Sequence, residues 1–164
     1  MVQTESESVM TGASQVDYAI DVLNSSEDWD AYTHVSPPEG SQNVNYLLWD
    51  DVGFATWDLF GGLVEVPNMK RICDRGLRFT QFHTSALCSP TRGSLLTGRN
   101  SSSIGMNTIS EAAMGFPGLN THIPSEAAMV SEVLQEKGWS TFHVGKWHLT
   151  PTDEMNMAAT KDHW

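Results

Sequence analysis

Cys88, Pro90 and Arg92 recur at every second position within the run Cys88-Ser89-Pro90-Thr91-Arg92-Gly93-Ser94-Leu95-Leu96-Thr97-Gly98-Arg99. Proline is tolerated in the first turn of a helix, where its missing N–H costs nothing. The run therefore reads as a short helix with Pro90 at the first position and free backbone N–H groups around Cys88. Arg92 follows Cys88 by one helical turn, so its planar fork of donors can reach back to any anion bound there. Sulfate and phosphate esters suit such a place. An isolated cysteine is more often a buried thiol and an isolated arginine a solvated helix residue, so the chemistry depends on what else converges here.

Two further clusters qualify. Asn43-Val44-Asn45-Tyr46-Leu47-Leu48-Trp49 is a mostly apolar run of strand length that ends in Asp50-Asp51-Val52-Gly53. It reads as a buried strand delivering two carboxylates to a sheet edge. Adjacent carboxylates repel unless a cation sits near them, and their hard oxygens suit Ca²⁺ or Mg²⁺; a turn with two solvated aspartates is the competing reading. Trp139-Ser140-Thr141-Phe142-His143-Val144 reads as another strand, running into Gly145-Lys146-Trp147-His148-Leu149. If the backbone stays extended past Gly145, Lys146 and His148 project to one side as a cation beside a titratable imidazole.

Taken together and in this order, the three motifs resemble the type I sulfatases, with bacterial arylsulfatases nearest in phrasing. The likeness runs from about Pro37 to Trp164, through the Cys-x-Pro-x-Arg signature, the Asp-Asp pair and Gly-Lys-Trp-His. The resemblance implies an α/β fold: part of an alkaline-phosphatase-like sandwich, a mixed sheet with flanking helices. It implies that Cys88 is oxidised to formylglycine by a formylglycine-generating enzyme, the aldehyde hydrate then attacking sulfur. It further implies that Asp50, Asp51 and residue 88 hold a divalent cation, Ca²⁺ before Mg²⁺, with Arg92 bracing the site and Lys146 and His148 binding the sulfate ester. Arg92→Ala and Lys146→Ala are then expected to slow turnover with little change in stability. The implied activity is sulfuric ester hydrolysis. Phosphonate monoester or phosphodiester hydrolysis and a non-catalytic truncated fragment are the alternatives, since the family's domain is longer and takes its remaining metal ligands from other segments.

Composition bounds these readings. The chain has 164 residues and a formal charge of −11, which disfavours a nucleic-acid surface or an anionic membrane as partner. Residues 1–42 contain no Lys or Arg, so a basic site is local, against an acidic background. No run approaches the roughly 20 apolar residues of a membrane span, and the N-terminus lacks a basic and apolar leader pattern. With two cysteines, Cys73 and Cys88, read as free thiols, a cytoplasmic location is expected. Residues 1–36 read as an acidic, disordered tail with one short helical stretch at Tyr18–Leu23, and 37–164 as the catalytic portion.

The positioning elements follow from local signals. Pro67 opens a helix that Gly76 closes, and Leu77 to Phe82 alternates like a strand leading to Cys88. The stretch from Gly98 to Ile123, rich in Ser, Asn, Gly and Thr, reads as a long loop over the site that could set selectivity. Val130, Val133, Leu134 and Lys137 keep helical spacing until Gly138 stops the helix.

Overall fold

The computed structural model describes residues 23–27, 29 and 36–154. The acidic tail over 1–36, with its expected helix at Tyr18–Leu23, lies almost wholly outside the described residues. Among the described residues three α-helices form: α1 (Pro67–Cys73), α2 (Cys88–Thr97) and α3 (Val130–Gln135). Short 3-10 turns at Asp58–Phe60, Ser101–Ile104, Ser110–Ala112 and Thr152–Glu154 punctuate the connections.

α1 starts at its proline as expected. It ends on Asp74, in right-handed conformation, so Gly76 is not the closing residue. α2 starts two residues earlier than Pro90. Leu87, in extended conformation, caps it, and the Leu87 carbonyl accepts the Thr91 N–H at 3.2 Å, which draws Cys88 into the first turn. Pro90 thereby becomes the third helical residue, where a missing N–H still costs nothing. Gly98 ends α2 with φ 66, donating its N–H to the Ser94 carbonyl at 2.9 Å. In α3 the Glu132 carboxylate accepts the Met129 N–H, closing the N-terminus. Gly138 stops the following turn at φ 90, where a Cβ would come within 2.5 Å of the Ser36 carbonyl carbon.

The core is small: Ile104, Met106, Ala127, Met129 and Leu149, flanked by Leu96, Ile123 and Trp147. α2 approaches it through Gly93, whose missing Cβ leaves room for Ile104 Cδ1, which a Cβ would meet at 2.9 Å. The stretch from Gly98 to Ile123 is therefore more than a loop over the site. It supplies the two most completely buried core side chains, Ile104 and Met106, both at 0 % exposure. Its first 3-10 turn, capped by Asn100 Oδ1 on the Ser102 N–H, turns Ile104 inward without any helical period to betray it.

The expected mixed sheet is not formed among the described residues, none of which lies in a β-strand. The runs 43–49, 77–82 and 139–144 are irregular segments without ladder pairing, the second bending at Thr80 and Gln81, and an isolated parallel bridge joins Trp57 to Val64. Strand-like sequence needs hydrogen-bonding neighbours and a covered face to become a sheet. Here Val44, Leu47, Leu77, Phe79, Phe142 and Val144 are exposed. Two side-chain ties nevertheless align the first and last of these segments. Trp139 Nε1 donates to the Gln42 carbonyl at 3.3 Å, and Lys146 Nζ to Asp50 at 2.8 Å. Their ends are thus brought together in the same direction, as neighbouring parallel strands would be.

Candidate active site

A cleft of about 980 Å³ opens between the segment ending at Asp50-Asp51 and the N-terminus of α2. Asp50, Asp51, Phe82, Cys88 and Arg92 are among its lining residues. The sequence expectation that α2 presents Cys88 is met, since the first helical turn carries it at the cleft wall. Cys88 Sγ lies 3.2 Å from His148 Nδ1, a contact between residues 60 positions apart.

Arg92 is buried at 8 % exposure and ties two segments together. Nη1 donates to the Lys146 carbonyl, while Nη2 lies 3.4 Å from Asp50 Oδ1. Its Nε is buried without a hydrogen-bond partner. The reading of Arg92 as a solvated helix residue is thereby excluded. Lys146 Nζ sits 2.8 Å and 3.1 Å from the two oxygens of Asp50. This ammonium, above all, holds the Asp50 carboxyl below the usual carboxylate range, with Arg92 adding to it. The same hydrogen bond raises Lys146, and the nearby Cys88 reinforces the effect.

Lys146 and His148 do face one site, but not from extended backbone. Gly145 has φ 101 and His148 has φ 58, so the chain turns at both ends of the motif. The turn sends Lys146 to Asp50 and the His148 ring to Cys88. Asp51, also left-handed at φ 53, lines the cleft beside Asp50. Asp50 is thus engaged by two cations. Among the described residues no group of three or more His, Cys, Asp or Glu is arranged to hold a metal ion. The two carboxylates suit a hard divalent cation in kind, but supply only part of the six to eight oxygens that calcium takes.

Sequence reasoning missed Glu111. Its Oε2 lies 2.7 Å from His148 Nε2, on the far side of the ring from Cys88, and this hydrogen bond holds the Glu111 carboxyl below its usual range. The available signal was modest: Glu111 is the one acidic residue between Gly98 and Ile123.

These contacts join the three sequence motifs into one cluster. The sulfatase family's sequence profile matches residues 42–162, from just before the Asp-Asp segment to past Gly-Lys-Trp-His. The chain belongs to the sulfatase family. It is 35 % identical over 123 residues to an uncharacterized sulfatase of Schizosaccharomyces pombe, covering 70 % of this chain and 22 % of that protein. It is 30 % identical over 109 residues to an arylsulfatase of Klebsiella aerogenes, covering 65 % and 24 %. Identity to human arylsulfatase A is 35 % over 109 residues, covering 65 % and 21 %. The chain thus spans about a fifth to a quarter of the length of the curated relatives it matches. The sulfatase domain implies an alkaline-phosphatase-like α/β fold, and the family acts on sulfate esters with a formylglycine residue and a divalent metal. No helix among the described residues is long and apolar enough to cross a membrane.

Proposed function

We propose that this chain carries the nucleophile end of a sulfuric ester hydrolase of the arylsulfatase type, with residue 88 as the reacting position. The observation that supports this most is the convergence of Cys88, His148, Arg92 and Lys146 around Asp50, drawn from three distant segments. Formylglycine made from Cys88 by a formylglycine-generating enzyme would supply, once hydrated, the attacking hydroxyl and a second hydroxyl that releases sulfate. Asp50 and Asp51, with residue 88, would hold a divalent cation, Ca²⁺ in preference to Mg²⁺, that polarises a sulfate oxygen.

The chain's own residues then divide the work. His148 Nδ1, 3.2 Å from the residue 88 side chain, is within reach of a proton on that side chain. Lys146 offers an ammonium to sulfate oxygens and exchanges part of its hold on Asp50 to do so. Arg92 keeps the Lys146 backbone and Asp50 in register with α2, so that the charges are in place before substrate arrives. The cytoplasmic location expected from the sequence belongs to this proposal as well.

The test starts with conversion. Co-expressed with a formylglycine-generating enzyme, the peptide containing residue 88 should exchange its thiol for an aldehyde that reacts with hydrazides. Mass spectrometry that finds only intact thiol would refute the role of Cys88. In a longer protein containing this segment, Lys146→Ala should slow p-nitrophenyl sulfate hydrolysis roughly a hundredfold, the scale for one stabilising donor. Unchanged turnover would remove Lys146 from the site.

A further inference from the structure

We propose that Glu111 is a positioning residue that holds His148 with its proton on Nε2, leaving the Nδ1 lone pair directed at residue 88. An imidazole with one proton has a donor nitrogen and an acceptor nitrogen, and its partners decide which is which. A carboxylate only accepts. Glu111 Oε2 at 2.7 Å from Nε2 therefore requires the proton there, and Nδ1, 3.2 Å from Cys88 Sγ, is left to receive one.

The surroundings make the arrangement durable. Glu111 stands on the Ser110–Ala112 turn, closed by the Ala112 N–H on the Ile109 carbonyl at 3.0 Å. Thr152 Oγ1 donates to the Ser110 carbonyl at 2.9 Å, pinning that turn to the segment just after the histidine motif. The Glu111 side chain is 57 % exposed and readily stays ionised, whereas His148 is 16 % exposed, so its ring is confined while its orienting partner remains solvated. The left-handed backbone at His148, φ 58, aims the ring across the gap between the two. A solvated glutamate at the surface would have no reason to meet a nearly buried ring edge-on from a segment 37 residues away.

This inference rests on the sulfatase reading for its purpose, but its test does not use sulfate ester turnover. The full chain is expressed with Cys88 as the unconverted thiol and with ¹⁵N-labelled histidine. The His148 signals are assigned by their loss in His148→Gln. Long-range ¹H–¹⁵N spectra between pH 6 and 9 should show His148 Nε2 protonated throughout. A bare Nε2 with the proton on Nδ1 in the native chain would overturn the proposal by itself, with no variant needed. In Glu111→Gln the Nε2–H preference should weaken to a mixture of forms, and Glu111→Asp should restore most of it; an unaltered spectrum in Glu111→Gln would also overturn it.

Thiol alkylation supplies the second reading. When iodoacetamide reacts at Cys88, an S–C bond forms, iodide leaves and the thiol proton passes to His148 Nδ1. Glu111→Gln should slow this roughly tenfold relative to the native chain, the lower end of effects from lost orienting partners. Cys73, remote from His148 in the chain and on α1, is the internal reference and should react at the same rate in both proteins. Equal Cys88 rates would refute the assignment. Failure of formylglycine conversion or of sulfatase turnover would count against the proposed function while leaving both of these measurements able to pass.

Discussion

Arg92 offers the sharpest test of how the site is held, because its stabilising and destabilising contacts can be separated by two substitutions. Truncation to alanine deletes the guanidinium and most of the buried stem. The charge-assisted bond to the Lys146 carbonyl is worth about 1.5–3 kcal/mol, whereas the buried Nε without a partner costs about 1–3 kcal/mol in the native chain. These nearly cancel. The 3.4 Å approach to Asp50 adds little, since it is long and Asp50 is open to water. The remaining loss is packing: two buried methylenes at about 0.8 kcal/mol each, or about 1.6 kcal/mol. Arg92→Ala should therefore destabilise by about 2 kcal/mol, while Arg92→Met, which keeps a stem of similar reach, should stay within about 1 kcal/mol of the native chain. Urea unfolding followed by tryptophan fluorescence reads both midpoints at constant slope. The expected small change in stability is thereby given a magnitude, set by the buried stem of a side chain only 8 % exposed. If Met and Ala were equally destabilising by 2 kcal/mol or more, the guanidinium bonds would dominate and the cancellation argued from Nε would be wrong.

Three other outcomes are expected. Glu111 is held below its ordinary range by His148, so its contribution to stability is present above the unfolded glutamate value near 4.5 and is lost as pH falls through the lower folded value. The difference in urea midpoint between the native chain and Glu111→Gln should close as pH falls below the unfolded glutamate value near 4.5; a gap that widens there would reverse the sign. Gly138→Ala should cost at least about 2 kcal/mol by the same unfolding assay, because φ 90 is strained for alanine and its Cβ would lie 2.5 Å from Ser36 backbone. Calcium should bind this chain more weakly than about 1 mM by calorimetry, and Lys146→Ala should tighten it by releasing Asp50 from the nearer of its two cations; micromolar binding by the native chain would show a more complete ligand set than two carboxylates.

Local chemistry made the site's members legible before any fold was known. A proline two residues past Cys88 marks a helix start, Gly138 marks a stop, and the three motifs carry a thiol, paired carboxylates and a Lys-x-His pair whose order identifies the family. Such signals are legible because they depend on a few consecutive residues and on backbone preferences that hold in any context. Helix starts shift by a residue or two, as Pro90 did, without moving the chemistry.

Other features required the chain to close on itself. Nothing near Arg92 in sequence says that it is buried against the Lys146 carbonyl, and nothing near Asp50 says that Lys146 will claim both its oxygens. The stretch from Gly98 to Ile123 reads as a long loop over the site because Ser, Asn and Gly dominate it and no period of 3.6 or 2 runs through it. Yet Ile104 and Met106 anchor the core there, and Glu111 reaches the histidine. Strand-like runs at 43–49 and 139–144 are an opposite case, with the apolar pattern present but the ladder absent among the described residues. Residue types and short spacings determined which groups this protein brings to its chemistry. Which of them touch, which are neutralised and which orient the others was decided only by contacts between residues tens of positions apart, because burial and pairing are properties of the closed chain and not of any window along it.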